Sequence, residues 1–358
     1  MGSKKALIGM SGGVDSSVAA YLMQTDGYDC IGATMMLHSD RTLEAGGKSV
    51  CGSRQDAEDA NTVADKLGIP FHVLDYSACF ESEVIDRFVL AYEEGRTPNP
   101  CVDCNRYLKF EKMFDGAKAL GCDLVVTGHY AKIEYCTKTD RYLLKRAADP
   151  DKDQSYFLWS LSQKQLSHAK FPLGKMTKNE IRAIAKENGF ITARKRDSQD
   201  ICFVPNGKYV EFLEKYTKKT YPEGDFLSTD GRVLGRHKGI IRYTVGQKKG
   251  LGVVLPEPLY VKSLNAIENT VTLCRSEELF STVMTLAHVN LISLPEIKDD
   301  LRCKVKIRYR HEAALATVKQ IDADRLLIVF DEPQRAVTRG QSAVMYDGDI
   351  VVGGGIIE

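Results

Sequence analysis

GMSGGVDSS, residues 9–17, joins a short apolar run, KALIGM (4–10), to a segment in which Val18, Tyr21 and Leu22 share one helical face. The apolar run reads as a buried strand. Gly12 and Gly13 give the turn after it access to positive φ, and Ser16 stands where it can cap the helix that follows. The same strand–loop–helix grammar continues downstream. Residues 30–37 form a second apolar run, and QDAEDANTVADKLG (55–68) has the acidic start and glycine stop of a helix. IPFHVLD (69–75) reads as a third strand, FESEVIDRFVLAYEEG (80–95) as a long helix, and CDLVVTGH (122–129) as a strand ending in Gly-His. Such alternation predicts an α/β domain with a doubly wound parallel sheet, whose ligands bind beyond the C-terminal strand ends. The loops after Met10 and Thr127 lie at two of those ends.

AKIEYCTKTDRYLLKRA (131–147) predicts a hairpin with Lys138 to Asp140 at its turn, followed by helices and loops to about residue 205. Beyond Tyr209, short β-rich runs are broken by DGR, HKG, KKG, PEP and DGD. That texture predicts a small central β-rich domain and a C-terminal β-barrel. The expected division is 1–205, 206–275 and 276–358, in keeping with two or three domains for 358 residues. The chain is 43% hydrophobic and 27% charged, with net charge +1. No apolar run approaches the ~18 residues of a membrane span. The N-terminus shows neither a secretory nor a transit signal, and its Met-Gly-Ser start has the look of an added leader. A cytoplasmic protein is expected, most of its ten cysteines reduced.

Successive amides running into a helix N-terminus form an anion-binding nest. The loop lacks the Gly-Lys-Ser/Thr ending of the common nucleotide P-loop. Asp15 puts a carboxylate beside the expected phosphates, which points to magnesium between them. SGGVDSS resembles the PP-loop of the ATP pyrophosphatases, which cleave ATP to AMP and pyrophosphate while adenylating an acceptor oxygen. The resemblance implies that Gly9, Met10, Ser11, Gly12, Gly13, Val14, Asp15 and Ser16 hold the phosphates of ATP. It also implies that Met35 and Gly128, at later strand ends, flank the nucleotide. By itself Met35 reads as a core methionine.

TPNPCVDCNRYLKF (97–110) is a Pro-rich loop entering a helix, with a CxxC at Cys101 and Cys104. A helix N-terminus beside Asn105 favours thiolate there. Cys202 lies in RKRDSQDICFV (194–204) behind Arg194, Lys195 and Arg196, which favour thiolate as well. Cys30, Cys122 and Cys303 sit in or beside apolar strands and read as small core residues. Cys51, Cys79, Cys136 and Cys274 have no assigned role. A CxxC is a redox pair, two metal ligands or coincidence. Structural zinc usually takes four ligands, whereas three thiols with an open position suit an iron–sulfur cluster.

RCKVKIRYRH (302–311) places Arg302, Lys304, Lys306, Arg308 and Arg310 on one face of a strand at period two, with Val305, Ile307 and Tyr309 opposite. Such a stripe is the footprint of a nucleic-acid backbone or a solvated edge strand. Lys248 and Lys249 add a further basic patch.

The PP-loop, TPNPCxxCNRYLKF, TGHYA (127–131), DKDQSYFL (151–158), FPLGK (171–175), DSQDICFV (197–204) and GQKKGLG (246–252) occur in one order. With RYRH (308–311), FDEPQRAVTRGQSAVMYDGD (330–349) and GGGIIE (353–358) they resemble the tRNA-specific 2-thiouridylase family along essentially the whole chain. The resemblance implies ATP- and magnesium-dependent thiolation of the tRNA wobble uridine, with Cys104 and Cys202 catalytic. It places Asn99, Pro100 and Cys101 around the target base. Lys152, Asp153, Gln154, Arg308 and Tyr309 would contact tRNA, and His129 and Gln341 would lie near the reaction and the tRNA. The implied partners are the tRNAs for Lys, Glu and Gln, and a cysteine desulfurase or persulfide relay protein supplying sulfur. Some members hold aspartate where this chain has Cys101, which favours a third thiolate there over a general acid/base. Two alternatives stand beside this reading. One is the same thiolation run by an iron–sulfur cluster on Cys101, Cys104 and Cys202. The other is a PP-loop ligase or amidotransferase acting on a small metabolite, which has no need of the cysteines or the basic β-domain.

Overall fold

A computed structural model of the chain describes residues 4–39, 42, 44–45, 52–195, 201–204, 207–253 and 257–358. Cys51 and Arg196 lie outside the described residues. The first strands are β1 (Lys5–Gly9), β2 (Asp29–Met36), β3 (Phe71–Asp75) and β4 (Leu124–Val126). The hairpin strands β5 (Ala131–Cys136) and β6 (Arg141–Arg146) follow, then β7 (Ala169–Lys170). Five of these form a sheet in the order β3-β2-β1-β4-β7, every pair parallel. β1 is central and covered on both faces. Ala6 and Ile8 pack under the helices Val14–Thr25, Arg54–Leu67 and Lys178–Glu187, while Leu7 packs with Val102, Phe110 and Met113 on the other side. That period-two split is why β1 reads as a continuous apolar run.

Two helix boundaries follow the sequence signals and one departs. Ser53 accepts the Asp56 amide at the N-cap of Arg54–Leu67, and Gly68, at φ 67°, ends it. Lys178–Glu187 opens with a Thr177–Glu180 capping box. Val14–Thr25 instead has Gly13 as N-cap with no side-chain cap. Ser16 lies inside the first turn, and its hydroxyl donates back to the Gly13 carbonyl at 3.1 Å. The expected cap is therefore absent, and the amides at this helix start carry no capping side chain.

The central unit contains β8 (Gly224–Leu227), β9 (Val233–His237), β10 (Tyr260–Asn265) and β11 (Thr270–Cys274), ordered β10-β11-β8-β9. Its helix Tyr209–Thr217 meets the helical stretch 77–93 through aromatic rings. Phe203 lies 5.1 Å from Phe88 and 5.2 Å from Phe212, centroid to centroid. The last strands are β12 (Phe280–Leu291), β13 (Leu301–Lys306), β14 (Ala314–Gln320), β15 (Leu326–Arg335), β16 (Ser342–Asp347) and β17 (Ile350–Ile357). β12 pairs with both β15 and β17, which closes an antiparallel barrel. Glycine is required at residue 353, where a Cβ would overlap the Asn290 carbonyl, and at 354, where it would press on the Trp159 ring. The β5–β6 hairpin turns at residues 137–140 and adds to the barrel sheet, Val351 opposite Leu144.

Candidate active site

The loop after β1 is held from within. The Ser11 amide donates to Ser16 Oγ at 3.1 Å, and the Ser17 hydroxyl donates to the Gly13 carbonyl at 2.9 Å. Gly12 has φ 67°, and a Cβ on it would overlap the Asp56 backbone. Met35 lies near the end of β2, half-buried. Gly128 lies against the helix start, where a Cβ would come 2.9 Å from the Asp15 carbonyl carbon and the Ser16 nitrogen. Gly9 to Ser16, Met35 and Gly128 thus share one end of the sheet.

Asp15 is not disposed as expected. Lys178 Nζ donates to its two oxygens at 2.7 and 2.8 Å, and the Tyr130 hydroxyl adds a third bond at 2.7 Å. A carboxylate held by an ammonium and a phenol does not fit as a magnesium ligand. The structure corrects that expectation and gives Asp15 a part in fixing the loop. Lys178 is a buried lysine that sequence reading passed over, because it looks like an ordinary helix-start residue. Its side chain is 10% exposed, so losing the Asp15 charge weakens the hold on a largely buried cation. Asp15→Asn is expected to lower stability by roughly 2–3 kcal/mol in urea unfolding. Asp15→Asn with Lys178→Met is expected to recover part of that loss.

His129 follows Gly128 and is buried between Phe110 and Phe171, at 5.9 and 5.5 Å between centroids. Its Nδ1 lies 2.7 Å from Thr127 Oγ1, and its Nε2 3.5 Å from Lys109 Nζ. Burial, and then the Lys109 charge, hold its pKa well below the usual histidine value. The folded state therefore keeps His129 neutral where the unfolded chain takes up a proton. Stability is expected to fall as pH drops below about 6.5. His129→Asn is expected to flatten that fall between pH 6.5 and 5 when melting curves of the two proteins are compared.

The helix bearing Cys101 and Cys104 begins at Pro100, with Asn99 as N-cap. It runs through a π-helical stretch, Cys104–Lys112, into Met113–Ala119. π-helical insertions occur frequently at functional sites. Cys101 is exposed, while Cys104 and Cys202 are half-buried against the same apolar cluster. Between the cysteines, burial lifts the Asp103 carboxyl to about 6, with Arg87 and Arg106 opposing the rise. Asn105 is buried and donates to the Phe157 carbonyl at 3.1 Å. Cys30, Cys122 and Cys303 are buried, as expected of core residues, and Cys274 joins them. Among the described residues no three His, Cys, Asp or Glu side chains form a grouping that could hold a metal. Cys101, Cys104 and Cys202 therefore do not fit an iron–sulfur cluster as they stand.

The barrel fixes the segment before these cysteines. Gln341 Nε2 donates to the Thr97 carbonyl at 2.9 Å, and the Thr97 amide donates to the Arg339 carbonyl at 2.9 Å. Gln341 thus holds the loop leading to Asn99, Pro100 and Cys101. Asp153 is engaged internally, accepting the Ala147 and Ser155 amides at 3.1 and 3.2 Å. Gln154 accepts the Tyr130 amide at 3.0 Å. Both side chains shape the 152–154 turn. Tyr309 packs at a tilt against Phe157, 4.4 Å between ring centroids, and Arg308 and Arg310 are exposed. The basic stripe is shorter than expected. β13 ends at Lys306, so Arg308 and Arg310 lie in the turn beyond it. Arg302 is taken up by Asp331 at 2.7 and 2.6 Å, and Lys306 lies over the rings of Tyr156 and Tyr309. Nor is β13 an edge strand, since β14 and β16 flank it.

Among the described residues no helix is long and apolar enough to cross a membrane. Three family descriptions match successive segments of the chain. They are tRNA methyl transferase HUP domain over residues 4–206, tRNA methyl transferase PRC-barrel domain over 210–275, and Aminomethyltransferase beta-barrel domain over 281–357. The tRNA-specific 2-thiouridylase MnmA of Clostridioides difficile (strain 630) is 50% identical over 99% of this chain and 98% of its own length. That of Acetivibrio thermocellus is 48% identical over 100% of both chains, and that of Clostridium perfringens (strain 13 / Type A) 45% identical over 100% of this chain and 99% of its own. With identity of this order along its whole length, the chain belongs to the tRNA-specific 2-thiouridylase family.

Proposed function

We propose that this chain replaces the C2 oxygen of the wobble uridine of tRNA with sulfur, using ATP and a cysteine persulfide. The observation that carries the reading is a shared location. An uncapped, glycine-turned helix start, Gly128 and Met35 share one end of the parallel sheet, and Met35, Cys104 and Cys202 pack on the same apolar cluster. The domain descriptions speak of methyl transfer, whereas the three relatives are named for thiolation. A phosphate cradle beside two thiols supports the second.

The uridine O2 lone pair attacks the α-phosphorus of ATP. The bond to the β-phosphate oxygen breaks and pyrophosphate leaves with its electron pair. Loss of the N3 proton gives a neutral adenylated base. Cys202 carries a persulfide from a donor protein, and its terminal sulfur attacks C2, expelling AMP with the C–O pair. The Cys104 thiolate then attacks Cys202 Sγ. The S–S bond to the base breaks, the base keeps the sulfur and regains a proton at N3, and a Cys104–Cys202 disulfide remains. Two thiolates are thereby oxidised and one sulfane sulfur reduced. Asn99, Pro100 and Cys101 seat the splayed base, while Lys152, Arg308 and Tyr309 meet the RNA outside. Gln341, Asp153 and Gln154 act by holding those segments in place. The tRNAs for Lys, Glu and Gln are the proposed substrates, and a cysteine desulfurase or relay protein the sulfur source.

Oxygen-18 at the uridine 2-carbonyl tests this chemistry. The label is expected in AMP. Its appearance in water or pyrophosphate would rule out adenylation of the base.

A further inference from the structure

A nucleotide loop ending in Gly-Lys-Ser/Thr reaches the phosphates with its own lysine. GMSGGVDSS has none, and Lys178, which reaches its helix start, is bound to Asp15. A different cation is linked to the loop through residues 127–129. A Cβ on Gly128 would meet the Asp15–Ser16 backbone at 2.9 Å, and one on Gly9 would meet Thr127 Cγ2 at 3.5 Å. Thr127 and Gly128 lead directly into His129, whose ring holds Lys109. An ammonium carries only donors, so His129 Nε2 accepts, and the ring's single proton sits on Nδ1 and is donated to Thr127 Oγ1. A neutral imidazole fixes Lys109 without cancelling its charge. Among the described residues no carboxylate lies within ion-pair distance of Lys109. Lys109 also follows Cys104 by five residues within the π-helical stretch, whose i to i+5 repeat stacks the two on adjacent turns.

We propose that Lys109 is a catalytic residue, the cation that takes the place of the missing loop lysine, held by the Thr127–His129 chain to stabilise negative charge on the α-phosphoryl group of ATP. This rests on the thiolation reading above. As O2 of the uridine bonds to the α-phosphorus and the bond to pyrophosphate breaks, charge grows on the phosphoryl oxygens. A fixed ammonium lowers the energy of that arrangement more than that of bound ATP.

The test is tRNA-dependent pyrophosphate release from ATP by the full chain, with ATP affinity measured separately by equilibrium binding. Lys109→Met is expected to lower kcat by about 10²–10³-fold while ATP affinity changes little. Lys109→Arg, which keeps a cation, is expected to retain much more of the rate. A wild-type kcat in Lys109→Met overturns the proposal, and so does a loss confined to ATP affinity. Should Lys109→Met fail to give the wild-type melting transition, Lys109→Gln is measured in its place, and a wild-type kcat there is equally fatal. Absence of tRNA-dependent pyrophosphate release by the wild-type chain would instead refute the thiolation reading.

Discussion

Cys104→Ser is expected to trap its tRNA. Adenylation needs no thiol, and attack by a Cys202 persulfide needs only Cys202. With serine at 104, nothing resolves the bond between the base sulfur and Cys202. A covalent protein–tRNA adduct is expected to accumulate with ATP and a persulfide donor, and to dissociate on addition of dithiothreitol. Cys202→Ser is expected to give no adduct. Both substitutions are expected to lower net thiolation by at least about 10³-fold, as losses of groups acting in one sequence commonly do. Denaturing gels, run with and without reductant, distinguish the two variants. Equal adducts in both, or full thiolation by either, would contradict the assignment of the thiols.

Gly12→Ala is the second large effect. Residue 12 sits at φ 67°, a conformation that costs an L-residue roughly 1–2 kcal/mol. The added Cβ would also overlap the Asp56 carbonyl, which is backbone and cannot swing aside. The loop has to shift, and its amides no longer converge on an anion. ATP affinity is expected to fall by about 100-fold, equivalent to roughly 3 kcal/mol. Gly13→Ala is the control. Its φ is −101°, and a Cβ there would meet only Ser11 Oγ at 3.5 Å. An equally large loss at Gly13 would mean that the geometry of residue 12 is not what holds the phosphates.

Local patterning made the parallel sheet legible. The apolar run of β1, the glycine stop at Gly68 and the hairpin turn after Cys136 are each set within a few residues. β7 was not legible, because its two residues carry no period and pair with β4 only through the fold. The attachment of the β5–β6 hairpin to β17 is likewise a long-range pairing. At the site, the glycines and cysteines stood out because backbone conformation and thiol chemistry restrict residue choice. Lys109 and Lys178 did not. A lysine that serves a site has the same local signature as one in solvent, and its partner, His129 or Asp15, lies far off in the chain. The same blindness misread Asp15 and the basic stripe. Sequence shows that a charge is present, but only the fold shows which neighbour takes it up.

The central claim is that this chain puts sulfur on the wobble uridine. Nucleoside mass spectrometry of a transcribed tRNA for Lys, Glu or Gln, after incubation with the purified protein, ATP and a persulfide-loaded donor, tests it most directly. The expected result is 2-thiouridine at the wobble position, one AMP and one pyrophosphate for each sulfur, and none without ATP. Unmodified wobble uridine, with the protein folded and ATP bound, would contradict it.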